Sequence, residues 1–124
     1  MTGVQTCALP ILARYGGEEF ALLLPGLDLT RVTSLAEEAR RSIEDLCIAH
    51  AEAPCGLVTI SIGVESIIPR NSQSTSDLVE AADRALYAAK RCGRNQVAAN
   101  LPAVVTISEL EAPLDYELPA SLVA

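Results

Sequence analysis

The chain of 124 residues predicts a single α/β domain reading β-β-α-β-α-β. Three observations carry that expectation. Two short apolar runs, "LARY" and "FALLLP", flank the Gly16-Gly17 pair as in a hairpin. Two later stretches place apolar residues at three- and four-residue spacing, the period of a helix with one buried face. Between them, "LVTISIGVES" alternates apolar and polar residues, the period of a strand.

Each element follows from its residues. Gly16 and Gly17 readily adopt positive φ, so the carboxylates of Glu18 and Glu19 belong to the hairpin tip. After Pro25-Gly26 a helix of about 20 residues is expected, with Val32, Leu35, Ala36, Ala39, Ile43, Leu46 and Cys47 on its apolar face. Glu37, Arg40, Arg41, Glu44 and Asp45 cover the opposite face, and Glu37 with Arg41 is an i,i+4 pair in the favourable order. Pro54 and Gly56 are expected to end this helix. In the next strand Val58, Ile60, Ile62 and Val64 form one face of a half-buried surface, and Gly63 implies close approach by another backbone. A polar loop, "PRNSQS", leads to a second helix from about residue 75, capped by Ser74 with Asp77 three residues on. Leu78, Val79, Ala82, Ala85, Leu86 and Ala89 make its apolar stripe, Gly93 closes it, and "NQVAA" is a last strand.

Composition bounds the function. Half of the residues are hydrophobic but only 3% are aromatic, so the core must be aliphatic. The formal charge is −7, and the nine bases all precede residue 95 whereas Glu109, Glu111, Asp115 and Glu117 lie in the last segment. This balance gives no general attraction for a nucleic-acid polymer or a membrane surface. The four cysteines, Cys7, Cys47, Cys55 and Cys92, form no C-x-x-C pair and have only His50 nearby, which argues against zinc and for reduced thiols in a cytoplasmic chain. No apolar run approaches the length of a membrane helix.

The first eleven residues, "MTGVQTCALPI", lack helical or strand periodicity. They back-translate without a mismatch into a widely used sequencing-adapter oligonucleotide, taking GTG as the start codon, and so resemble a non-native segment replacing upstream protein. The expected organisation is a non-native segment at 1–11, a partial domain at 12–100 and a loosely ordered acidic tail at 101–124. Within the tail, "AVVTISEL" has the composition of an edge strand.

The motifs "RYGGEEF", "VTISIGV" and "ADRALYAAKRCGRNQV", in this order and spacing, resemble the second half of a GGDEF domain, the diguanylate cyclase family. The resemblance implies a nucleotidyl-cyclase palm related to the ferredoxin-like βαββαβ plan, here lacking its first strand and helix. It also implies the chemistry of two GTP molecules condensing into cyclic di-GMP across a homodimer, with release of pyrophosphate and with Mg²⁺ or Mn²⁺ as cofactor. Carried over residue by residue, Glu18 is a metal ligand and Glu19 lies near the ribose and the reacting hydroxyl. Gly16 and Gly17 admit the nucleotide, and Lys90 and Arg94 bind the triphosphate. Phe20 returns the chain to the core.

Without the distant motifs, the tip reads more simply as a solvated acidic turn, and Lys90 and Arg94 as bases opposing a helix macrodipole. Arg91 fits only that second description. Asp83 reads as a salt-bridge partner, Tyr87 as a partly buried packing residue, and His50 as solvated at a frayed helix end. Arg14 either steadies the turn or reaches phosphate. The family's first-strand aspartate, its guanine-reading residues and its upstream sensory domain lie outside the matched pattern. At the position where an arginine-x-x-aspartate inhibition site usually begins stands "CALP". A chain without the central strand is expected to leave the hairpin and the "VTISIGV" strand unpaired on one side, to fold poorly and to lack cyclase activity. The alternative to an active parent enzyme is a catalytically silent GGDEF module that binds GTP or cyclic di-GMP and regulates a partner domain.

Overall fold

The computed structural model describes residues 9–100 and, as backbone only, 120–123. The order is β1 (Ile11–Gly16), β2 (Glu19–Leu24), α1 (Leu29–Asp45), β3 (Ile62–Ser66), α2 (Thr75–Arg91), β4 (Val97–Ala99) and β5 (Ala120–Val123). Through β4 this is the predicted β-β-α-β-α-β sequence. The strands form one sheet in the order β1-β2-β5-β3-β4. β1 and β2 are the antiparallel hairpin, whereas β3 and β4 run parallel with α2 as their crossover.

The fifth strand departs from expectation. Ala120–Val123 lies between β2 and β3, antiparallel to both, pairing Leu22 and Val64 with the same Leu122. The edges expected to stand open are therefore paired in the described residues. The rest of the tail, 101–119 and 124, and the segment 1–8 lie outside the described residues. β1 begins at Ile11, inside the stretch that the sequence suggests is foreign.

The two helices cover opposite faces. Ile62 and Val64 pack with Leu24, Val32 and Ala36 on the α1 side. Gly63, pointing the other way by strand alternation, faces α2 so closely that a Cβ there would overlap the Ala82 carbonyl oxygen and the Leu86 backbone nitrogen. This is the backbone approach that the glycine implied. With helices on both faces, β3 is buried at all of Ile62, Gly63, Val64 and Glu65 and is not half-buried. The strand is also shorter than "LVTISIGVES", because Leu57 and Val58 turn back to pair with Ala49 and Ile48. The buried hydrophobic residues are leucine, isoleucine, valine and alanine alone, as the scarcity of aromatics required.

Both helix starts are capped. The Asp28 carboxylate accepts from the Arg31 N–H at 2.7 Å. At α2, Ser74 Oγ accepts from the Ser76 N–H at 3.2 Å while Asp77 Oδ2 accepts from the Ser74 N–H at 3.1 Å, the expected capping box. The end of α1 was misplaced by the sequence: the helix stops at Asp45, well before Pro54. Leu46 and Cys47 donate three residues back, to the Ile43 and Glu44 carbonyls, and Cys47 turns left-handed at φ 49°. Leu46 and Cys47 consequently sit exposed, and of the expected apolar face only Val32 and Ala36 are buried.

Candidate functional site

The hairpin tip is built by two local devices. Gly17 has φ 44°, a left-handed conformation that glycine supplies without steric cost. Arg14 donates its Nε to the Gly17 carbonyl at 2.8 Å, so it steadies the turn from behind. Glu18 and Glu19 follow directly, Glu19 opening β2. Phe20 does not return to the core: it is 46% exposed, opposite Arg14 on a part of the sheet that α1 does not cover.

The second element is the end of α2. Cys92 closes the helix by donating to the Ala88 carbonyl at 2.9 Å. Gly93, Arg94 and Asn95 follow at φ 111°, 62° and 46°, three consecutive left-handed residues. Glycine accepts this conformation and asparagine tolerates it, but for arginine it costs of order 1 kcal/mol or more. The Arg94 N–H donates to the Ala89 carbonyl at 3.0 Å.

These two elements meet. Glu18, Glu19, Lys90 and Arg94 line a single open cleft of about 950 Å³. Lys90 Nζ lies 3.1 Å from Glu19 Oε1, with both side chains more than a third exposed. An exposed pair of this kind is worth roughly 0–1 kcal/mol, so Lys90 can exchange it for a stronger anion at little cost. The Glu18 carboxylate is exposed and takes part in no ion pair among the described residues. Gly16 and Gly17 shape the turn but do not line the cleft.

The remaining wall escaped the sequence reading. It comes from the loop between α1 and β3, including His50, Glu52, Pro54 and Cys55, together with Thr59 and Ser61. His50 is exposed, as expected, but is held in a small hairpin, its N–H donating to the Gly56 carbonyl at 2.9 Å. The Pro54 and Gly56 pair that seemed to end a helix instead marks this turn. Asn95 is a further lining residue, although its sequence context signals only the start of a strand.

Tyr87 is 62% exposed and not a packing residue; the Arg91 guanidinium stands 5.8 Å over its ring. Asp83 is exposed beside Glu80 in a shallow second depression. Cys47, Cys55 and Cys92 are free thiols, and Cys7 lies outside the described residues. No described helix is long and apolar enough to cross a membrane.

Behind the cleft, α1 carries an ion-pair cluster. Arg40 bonds both oxygens of Glu37 through Nε at 3.1 and 3.0 Å, and bonds Glu44 Oε2 through Nη1 at 2.7 Å. Arg41 adds a bond to Glu37 Oε1 at 2.9 Å. The Arg40 hydrogen bonds, reinforced by Arg41, hold the Glu37 carboxyl down to about 2. Arg40 and Asn95 likewise lower that of Glu44.

Comparison with known proteins agrees with this geometry. Residues 7–96 match the model of the family described as "Diguanylate cyclase, GGDEF domain". Diguanylate cyclase A of Treponema denticola is 42% identical over 85 residues, covering 68% of this chain and 22% of that protein. Diguanylate cyclase VdcA of Vibrio cholerae is 43% identical over 86 residues, covering 68% of this chain and 25% of that protein. The chain thus spans about a quarter or less of the curated relatives it matches. Among solved structures, the GGDEF domain of DgcB from Caulobacter crescentus, in complex with c-di-GMP, aligns with a TM-score of 0.64 and 35% identity. That alignment covers 75% of this chain and 53% of the other. With three motifs, a shared fold and a family match over most of its length, the chain belongs to the GGDEF domain family of diguanylate cyclases.

Proposed function

We propose that the cleft is the triphosphate- and metal-binding part of a diguanylate cyclase site. The observation that carries this reading is the convergence of Glu18, Glu19, Lys90 and Arg94, from two distant segments, on one cleft. In the parent enzyme each protomer of a homodimer holds one GTP. The 3'-hydroxyl of each GTP attacks the α-phosphorus of the other, two phosphodiester bonds form, and two pyrophosphates leave.

Lys90 and Arg94 offer donors to the phosphate oxygens, with Lys90 leaving Glu19 to do so. Glu19, once freed, offers a carboxylate that can accept a hydrogen bond from the ribose hydroxyl. The Glu18 carboxylate suits Mg²⁺ or Mn²⁺. Hard cations of this kind are held by one or two carboxylates plus substrate phosphates. Bound there, the metal would neutralise charge on the triphosphate and favour ionisation of the attacking hydroxyl.

The segment that fills the central strand position reads "ASLV" and brings no carboxylate, whereas the family draws a further metal ligand from that position. Residues 1–124 are therefore expected to bind Mg²⁺-GTP without turning it over. The second reading, a catalytically silent module that binds GTP or cyclic di-GMP and regulates a partner domain, would be favoured by a parent first strand that lacks the metal-binding aspartate. Calorimetric titration with Mg²⁺-GTP tests the site: Glu18→Gln, Lys90→Ala and Arg94→Ala should each weaken binding by about tenfold. Unchanged affinity in all three would remove the proposal. Clear formation of cyclic di-GMP from GTP by residues 1–124 would overturn the expected inactivity.

A further inference from the structure

Arg94 stands in a conformation that arginine does not choose, and the structure contains what holds it there. Asn95, the next residue, is held through both ends of its side-chain amide and through its backbone N–H. Its Oδ1 accepts from Arg40 Nη1 at 2.7 Å, its Nδ2 donates to Glu44 Oε1 at 2.7 Å, and its N–H donates to Ser61 Oγ at 3.1 Å. Arg40 is only 12% exposed and is itself fixed on three sides, by Glu37, Glu44 and Asn95. Arg94, by contrast, makes no side-chain hydrogen bond or ion pair among the described residues and is exposed at the cleft. One arginine is half-buried and bonded through all three of its guanidinium nitrogens, while the other is left with free donors.

We infer that Arg40, acting with Glu44 through Asn95, is a positioning residue for Arg94. It ties the left-handed turn after α2 to helix α1 and so presents the Arg94 guanidinium to the cleft. The planar fork of Arg40 meets two carboxylates and an amide oxygen at once, a geometry that lysine does not reproduce. A turn held from outside in a strained conformation gives a preorganised anion ligand, since little ordering remains to be done on binding. The inference rests on the proposed phosphate role of Arg94.

The test uses residues 1–124 and inorganic tripolyphosphate as probe, read by calorimetry, with amide hydrogen exchange at Asn95 as the structural readout. Arg40→Ala should lose about tenfold in affinity, the scale of one charge-assisted contact, and should speed Asn95 exchange at least tenfold. Arg40→Lys should recover only a small part of either. Arg41→Ala removes an ion pair to the same Glu37 without touching Asn95, and should leave both readouts within twofold. Should Arg40→Ala fail to fold, Asn95→Gly replaces it: glycine keeps the left-handed turn but cuts its side-chain ties, and the same loss of affinity is expected. The inference is overturned if Arg94→Ala weakens tripolyphosphate binding while Arg40→Ala and Asn95→Gly do not. If Arg94→Ala itself binds as the wild type does, the phosphate role of Arg94 fails instead.

Discussion

At the scale of single residues, the fold turns on Gly63. A methyl group there would need the backbone of α2 to move, and the overlap is with main-chain atoms that cannot swing aside. Gly63→Ala should therefore cost about 3 kcal/mol, at the upper end for overpacking, and urea denaturation at neutral pH reads it as a lower midpoint with unchanged slope. The glycine was legible because it stands inside an alternating strand, on the face opposite Ile62 and Val64, where a residue without a side chain implies close approach by another backbone. Phe20 was not legible: its pattern fits a buried strand, and its exposure depends on how far α1 extends across the sheet. Glu37 makes a different prediction. Its carboxyl lies at about 2 in the folded chain against an ordinary 4.5, so it binds fewer protons when folded and favours folding above pH 4.5. That contribution should fade as pH falls from about 5 toward 2. Thermal midpoints measured at pH 7 and pH 3 should accordingly drop further for the wild type than for Glu37→Gln.

At the scale of elements, α2 was the most readable segment and α1 the least. Ser74, Asp77 and Gly93 state the limits of α2 chemically, as two side-chain acceptors for backbone N–H groups and a left-handed exit. Ser74→Ala should lower stability by about 1 kcal/mol, the usual cost of an N-cap, measured by chemical denaturation. The end of α1 carries no such signal. Leu46 and Cys47 continue the apolar spacing, and Pro54 offers a later stop, yet the chain leaves the helix at Asp45. The reason lies in the following loop, where Ile48 and Ala49 pair with Val58 and Leu57. A pairing of that kind is tertiary and leaves no periodic trace. The same loop walls the cleft, so half of the candidate site was invisible for the reason that misplaced the helix. The charged half, Glu18, Glu19, Lys90 and Arg94, was visible because three separated motifs resemble one family; by residue type alone an acidic turn and helix-end bases account for them.

At the scale of the whole molecule, the sheet depends on a four-residue strand reached through a long connection. β5 pairs with β2 through Ala21 to Leu24 and with β3 through Gly63 to Ser66, so it joins the hairpin to the helix-covered half. Without it β2 and β3 would each present a row of unpaired backbone donors and acceptors, and the hairpin would keep little contact with the remainder. "ASLV" is too short and too ordinary for its place to be read from sequence, which leads instead to a vacant centre with the hairpin and β3 unpaired on one side. Ending the chain at residue 118 should thus lower the thermal midpoint by more than about 10 °C, the equivalent of roughly 2 kcal/mol in a domain of this size. The shortened chain should also associate through its open edges, seen by light scattering as a mass that rises with concentration. A shortened chain that stays monomeric with an unchanged midpoint would show that the two halves of the sheet hold together without β5.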